Sequence, residues 1–238
     1  MPLHAVLFGA IGAIVETSEI QRAAFNTAFR NFDVDIFWDR ADYEQLLQQP
    51  SGRLRIARAL EASGMNDETL VDAIYNEKTA LFLADLKAGI EPRPGVLNLL
   101  EQAGQAGLAV GFVSGTDRQV VDAVIEGAVG VSPNHFDLIL SGTDAKNAKP
   151  NPEIYDFALE QLGLEAKQCL AIEDTVASGR AAMAAGIPVL FTPGAMTQRE
   201  DWASVDGQTA DLESLGIGPI AIDALQIWHA DQLSQKAA

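Results

Sequence analysis

Short apolar runs punctuate the chain: AVLF at 5–8, LAVGFV at 108–113, DLIL at 137–140, CLAI at 169–172 and IPVLF at 187–191. None alternates with polar residues, and segments of helical period lie between them. That pattern predicts strands buried on both faces of a parallel sheet with helical crossovers, an α/β core. The stretch from Phe8 to Leu108 is far longer than the roughly one dozen residues a single crossover needs. Its apolar positions follow a helical period, with Ser51 placed to cap SGRLRIARALEAS and Asn66 to cap NDETLVDAIYNEKTALFLADLKA. An inserted helical cap is therefore expected over 15–90, with the core formed by 1–14 and 91–238. The entry hinge falls near Ile14 to Glu16, and the return is Glu91-Pro92-Arg93-Pro94-Gly95, a proline-glycine hinge before the helix VLNLLEQAGQAG. Two such connections let a cap rotate over the strand ends.

Composition narrows the classes. With 238 residues, 48% of them hydrophobic, the chain is long enough for one well-buried core and a smaller appended unit. Its 33 acidic and 16 basic residues leave a formal charge of −17, which argues against nucleic acid as a partner, because phosphate-backbone binders carry a basic footprint. Any phosphate pocket must then supply its own local donors. The single cysteine, Cys169, excludes an intramolecular disulfide and a thiolate metal cluster and fits a reducing cytoplasm. MPLHAVLF lacks a signal-peptide pattern and no stretch approaches about 18 uncharged apolar residues, so neither export nor a membrane partner is expected. The tail QLSQKAA is expected to fray.

Ligands of open α/β sheets bind at the carboxyl ends of the strands, and polar residues gather there. After LAVGFV comes Ser114-Gly115-Thr116-Asp117, a hydroxyl and free backbone N–H groups at a helix start, which suit a phosphoryl oxygen or simply cap the helix. After DLIL, the loop SGTDAKNAKPNPE sets Lys149 before Pro150, with Asn151 able to cap a helix whose first position is Pro152. A lysine there neutralises a phosphoryl group or is an ordinary surface charge. After CLAI, Glu173-Asp174-Thr175 precedes the small-residue helix VASGRAAMAAG. Paired carboxylates at a strand end suit a hard cation such as Mg²⁺, or cap a tightly packed helix.

The fixed order of Ser114, Lys149 and Glu173-Asp174 on successive strand ends resembles the haloacid dehalogenase-like superfamily, over almost the whole chain. Its motifs are an Asp-x-Asp-Gly-Thr loop, a Ser/Thr, a Lys commonly before Pro, and an acidic pair. The cap segments FWDRADYEQLL and SGRLRIARAL look like those of phosphosugar phosphatases. Glu16-Thr17 and QRAAFN at 21–26 are similar to the Rubisco-operon xylulose-1,5-bisphosphate phosphatase branch. The resemblance implies a Rossmann-like parallel core with a helical cap, a phosphorylated small molecule as ligand, and Mg²⁺. It makes Ser114, Gly115, Thr116 and Lys149 the phosphate contacts, Glu173 and Asp174 the metal ligands, and Glu16, Gln21, Arg53 and Arg55 the substrate contacts toward the cap. Gln21 stands where the branch usually has a His, and Arg53 where a Lys is usual.

The first motif departs from the family. Its two catalytic carboxylates would fall at Gly9 and Ile11, and its threonine at Ala13, within Gly9-Ala10-Ile11-Gly12-Ala13. The first Asp attacks phosphorus and the second moves the proton, so the resemblance implies a chain without nucleophile or acid/base and, at most, a weak Mg²⁺ site. Losing a covalent nucleophile costs roughly 10⁶-fold in turnover in another hydrolase. Three readings follow: an inactive binder of phosphate or phosphosugar, a phosphatase using a non-standard nucleophile or metal-bound water, or an interaction protein with a vestigial site.

Overall fold

The structure is a computed structural model that describes residues 1–47, 51–198, 201, 207–215 and 221–235. It divides into two compact units, one of Met1–Glu16 with Ile90–Ala238 and one of Thr17–Gly89.

The first unit is built on five parallel strands: β1 (Ala5–Phe8), β2 (Ala109–Val113), β3 (Leu138–Leu140), β4 (Cys169–Glu173) and β5 (Val189–Phe191). They lie in the order β3-β2-β1-β4-β5. All five apolar runs expected from sequence become strands, because an unbroken apolar run survives only where both faces are covered. Every residue of β1 is buried. The helices, in chain order, are α1 (Ile11–Ile14), α2 (Ser18–Asn31), α3 (Arg40–Leu46), α4 (Gly52–Ala62), α5 (Glu68–Lys87), α6 (Val96–Ala106), α7 (Arg118–Gly127), α8 (Glu153–Leu162), α9 (Val176–Ala184) and α10 (Ala221–Gln235). Helices α8 and α9 cover one face of the sheet, packing Ile154, Ala158 and Ala181 on Leu7, Val113 and Ala171. The approach of α9 depends on Gly179, where an added Cβ would overlap the Phe191 ring. The last three residues of the tail expected to fray lie outside the described residues; its start, Gln232–Gln235, is the end of α10.

The second unit consists of α2 to α5. Phe25, Phe29, Trp38 and Tyr43 form its aromatic centre, with Trp38 edge-on to Phe29 at 4.8 Å between centroids. Asn26 pins the connection after α2 by bonding the Trp38 backbone twice: its side-chain amide donates to Trp38 O and its carbonyl accepts from Trp38 N, both at 2.9 Å. Ser51 caps α4 through a bond from Leu54 N. Two expected caps shift by one residue. Helix α5 is capped by Asp67, whose carboxylate accepts from Thr69 N and Leu70 N; an ionised acceptor one residue further on displaces Asn66. Helix α8 takes Pro152 as its N-cap rather than its first residue, yet Asn151 Oδ1 still accepts from Glu153 N at 3.0 Å. Among the described residues, no helix is long and apolar enough to cross a membrane.

Candidate functional site

Register builds the site. Phe8 lies opposite Phe112 on one side and Ile172 on the other, so the next residues, Gly9, Val113 and Glu173, fall in one row at the carboxyl ends of β1, β2 and β4. The bond from Gly9 N to Ile172 O, 2.9 Å, extends the ladder to that row. Strand order reverses at β1, which opens a crevice above it.

Lys149 reaches into the row from the loop before α8. Its ammonium donates to Gly9 O at 2.6 Å, Glu173 Oε1 at 2.9 Å and Val113 O at 3.0 Å, with the Tyr155 hydroxyl oxygen at 3.3 Å. An ammonium has three hydrogens, and the three nearer oxygens take them. Lys149 and Glu173 form an ion pair buried to 7% and 0% side-chain exposure. Tyr155, in α8, donates its phenol proton to the same Glu173 Oε1 at 2.5 Å. Burial raises the pKa of Glu173, offset in part by the Lys149 charge and by the bonds from Tyr155 and Lys149. Burial, followed by the Glu173 charge, raises the Tyr155 phenol well above its ordinary value. Glu173 Oε2 is buried with no hydrogen-bond partner.

This packing requires glycine at position 9. A Cβ added there would overlap the Tyr155 hydroxyl and the Glu173 carboxylate, closer than side-chain carbons ever approach. The space into which a side chain from position 9 would project is filled by the Tyr155–Glu173 pair. Gly12 is confined in the same way by Asp174 Oδ2. Ile11 is the first residue of α1 and half-buried.

The other residues singled out in the first unit gather nearby. Ser114 is buried, its N–H bonded to Leu140 O at 3.0 Å and its hydroxyl accepting from Thr116 N at 3.2 Å. The stem of Lys149 passes 3.7 Å from where a Cβ on Gly115 would be. Glu16 Oε2 accepts from Ala195 N at 2.6 Å and is thereby tied to the loop after β5. In the second unit, Gln21 accepts from Lys78 Nζ at 3.0 Å. Arg53 binds two carboxylates, Glu68 at 2.6 Å and Asp72 at 2.7 Å, on an exposed surface. Arg55 stacks over the Tyr43 ring at 5.8 Å.

Three residues escaped sequence reasoning. Tyr155 sits in an amphipathic helix, where its ring reads as core; only its position six residues after Lys149 hints at a shared centre. Lys78 is buried in α5 with its ammonium 4.7 Å from the Phe25 centroid and 4.9 Å from that of Phe82. Arg93 belongs by sequence to the hinge, yet its guanidinium donates to Gly12 O at 2.7 Å, Thr192 O, Pro193 O at 2.9 Å and Ala210 O at 2.8 Å. It clamps the first loop to the segment after β5.

The residues do not fit a divalent cation. Mg²⁺ demands near-octahedral oxygen ligation, whereas position 9 offers no carboxylate and Glu173 Oε1 is committed to Lys149 and Tyr155. Among the described residues, no cluster of three or more His, Cys, Asp or Glu side chains is placed to hold a metal.

A parallel sheet with these strand-end residues defines a class, and the chain belongs to it: the haloacid dehalogenase-like hydrolase family, whose model matches residues 3–186. Within that family it is similar to Protein CbbY of Cereibacter sphaeroides, 35% identical over 90% of this chain and 94% of that protein. The crystal structure of a CbbY mutant from Rhodobacter sphaeroides in complex with xylulose-(1,5)bisphosphate superposes with a TM-score of 0.81 at 33% identity, covering 90% of this chain and 96% of that one. The CbbY structure in complex with phosphate gives 0.82 at 33% identity, covering 93% and 99%.

Proposed function

We propose that this chain is a CbbY-type member of its family that has given up phosphoester hydrolysis and binds phosphate or a phosphorylated sugar. One observation carries the reading: the Tyr155 hydroxyl and the Glu173 carboxylate fill the space that a nucleophilic side chain at position 9 would need. Glycine offers nothing to attack phosphorus, and Ile11 neither gives nor takes a proton. With nucleophile and proton carrier both gone, residual turnover falls by roughly 10⁶-fold relative to an intact site.

The ligand class follows from what remains and from the relatives. The buried Ser114 hydroxyl, whose oxygen already accepts from Thr116 N, keeps its own proton for a phosphoryl oxygen. Gly115 supplies a backbone donor beside it, the Thr116 N–H being bonded to the Ser114 hydroxyl, and Lys149 adds a positive charge. The similar CbbY structures carry phosphate and xylulose bisphosphate, which makes a phosphorylated ketose the first ligand to try. Arg55, with Gln21 beside Lys78, is assigned to a second phosphate, and Arg53 contributes only when it leaves Glu68 and Asp72. A cytoplasmic, membrane-free setting is part of the same reading.

Calorimetry with a panel of sugar phosphates, alongside phosphate-release assays in Mg²⁺, tests it. The expected result is saturable binding without turnover. Turnover that disappears on Asp174→Asn would establish instead a phosphatase with a non-standard nucleophile or metal-bound water. A stable protein partner with no small-molecule affinity would establish an interaction protein with a vestigial site.

A further inference from the structure

We infer that the Lys149 ammonium is the resident cation of this site, and that phosphate-type ligands are held there without a divalent metal ion. The inference rests on the reading of the site as a phosphate binder and specifies which cation faces the ligand.

Four oxygens surround the ammonium nitrogen: the carbonyls of Gly9 and Val113, Glu173 Oε1 and the Tyr155 hydroxyl. Carbonyls and a carboxylate at a strand end are the donors a hard cation takes, and here a tethered cation has taken them. The pair is almost fully buried, so a second positive centre on Glu173 would face the ammonium across a poorly screened gap. A metal would have to displace Lys149 from Glu173 or settle for Oε2, the one oxygen left without a partner. Asp174 does not complete a cage: its carboxylate lies against Gly12, and Arg93 is a neighbouring charge. Position 9 closes the argument, because only a glycine leaves room for Tyr155 and Glu173 to hold the ammonium in this place. The loss of the side chain at position 9 and the capture of Lys149 are two sides of one arrangement.

The test begins with the unmodified protein. Mn²⁺ is titrated and followed by electron paramagnetic resonance, and the affinities for inorganic phosphate and xylulose bisphosphate are measured in excess EDTA and in millimolar Mg²⁺. No saturable Mn²⁺ binding is expected, and the two affinities should agree within about twofold. Lys149→Ala is expected to melt lower than the parent and to recover with methylammonium but not with sodium. One Mn²⁺ bound per chain, or ligand affinity raised about tenfold by Mg²⁺, overturns the inference while leaving the binding function standing. Absence of ligand binding in both conditions defeats the function reading alone, and the Mn²⁺ titration still decides the cation. Indifference of Lys149→Ala to methylammonium removes Lys149 from the role.

Discussion

Among the described residues, two lysine side chains are buried, and they are kept there by opposite means. Lys149 is met by a carboxylate, two carbonyls and a phenol, so its charge is neutralised where it stands. Lys78 is met by one amide oxygen, from Gln21, and by the faces of Phe25 and Phe82. Burial, and then the Arg55 charge, pushes its pKa down from 10.5 to about 7. A buried charge with a matched acid becomes part of the framework, whereas one held by an amide and π-faces stays poised to lose its proton. The first arrangement suits an ion pair fixed in the framework. The second makes the helical unit sensitive to pH near neutrality.

Breaking the matched pair should have the largest effect. Lys149→Met leaves Glu173 buried without its counter-charge, which costs about 3–5 kcal/mol when one partner of such a pair is removed. Lys149→Met combined with Glu173→Leu should recover most of that loss, because the uncompensated charge goes with it. Urea unfolding of the single and double variants measures both, and equal instability of the two would show that packing rather than charge holds this row together.

A side chain at position 9 attacks the same pair from its other side. Gly9→Ala drives a methyl group into Tyr155 and Glu173, an overpacking worth about 1–3 kcal/mol, and Tyr155→Phe in the same chain should return part of it. The corresponding functional test is Gly9→Asp with Ile11→Asp. These two changes place carboxylates at positions 9 and 11 but do not make space for them, so phosphate release in Mg²⁺ should rise above the parent only when Tyr155→Phe is added. Full activity from the two aspartates alone would mean that Tyr155 and Glu173 move aside freely.

For Lys78 the sign follows from proton counting. Below about pH 7 the amine is charged in folded and unfolded chains alike, and the burial penalty is present in full. Between about 7 and 10.5 the unfolded chain holds a proton that the folded chain has released, so stability rises with pH. Lys78→Met should flatten that rise, by at most about 5 kcal/mol across the window. Chemical denaturation at several pH values reads it, and parallel slopes for parent and variant would place the titration elsewhere.

The strands were legible because burial on both faces leaves only one kind of sequence, and AVLF and CLAI are that kind. Ser114, Lys149 and Glu173 were legible as strand-end polar residues. Their bonding was not: nothing in the letters of EIYDFALEQL says that the Tyr155 hydroxyl crosses to Glu173, since a phenol at a core position of a helix is ordinary. The residue at position 9 is plain in the sequence, but its meaning depends on tertiary packing. A glycine in a loop reads as absence, and here the absence is occupied. Arg93 was hidden for a related reason, because its four carbonyl acceptors lie at sequence separations from 81 to 117.

The smallest effect is expected at an exposed charge. Arg53 binds Glu68 and Asp72 at short distance, but all three side chains are open to water, at 42%, 71% and 57% exposure. Water and salt screen such contacts, and holding three long side chains together costs the entropy that the attraction returns. Arg53→Ala should therefore leave the melting temperature unchanged at physiological salt, in contrast to either buried lysine. The same variant separates structure from ligand binding. A lower affinity for xylulose bisphosphate with unchanged affinity for inorganic phosphate would show that Arg53 leaves its carboxylates for a second phosphate. Equal affinities would leave it a surface ion pair and assign the second phosphate to Arg55.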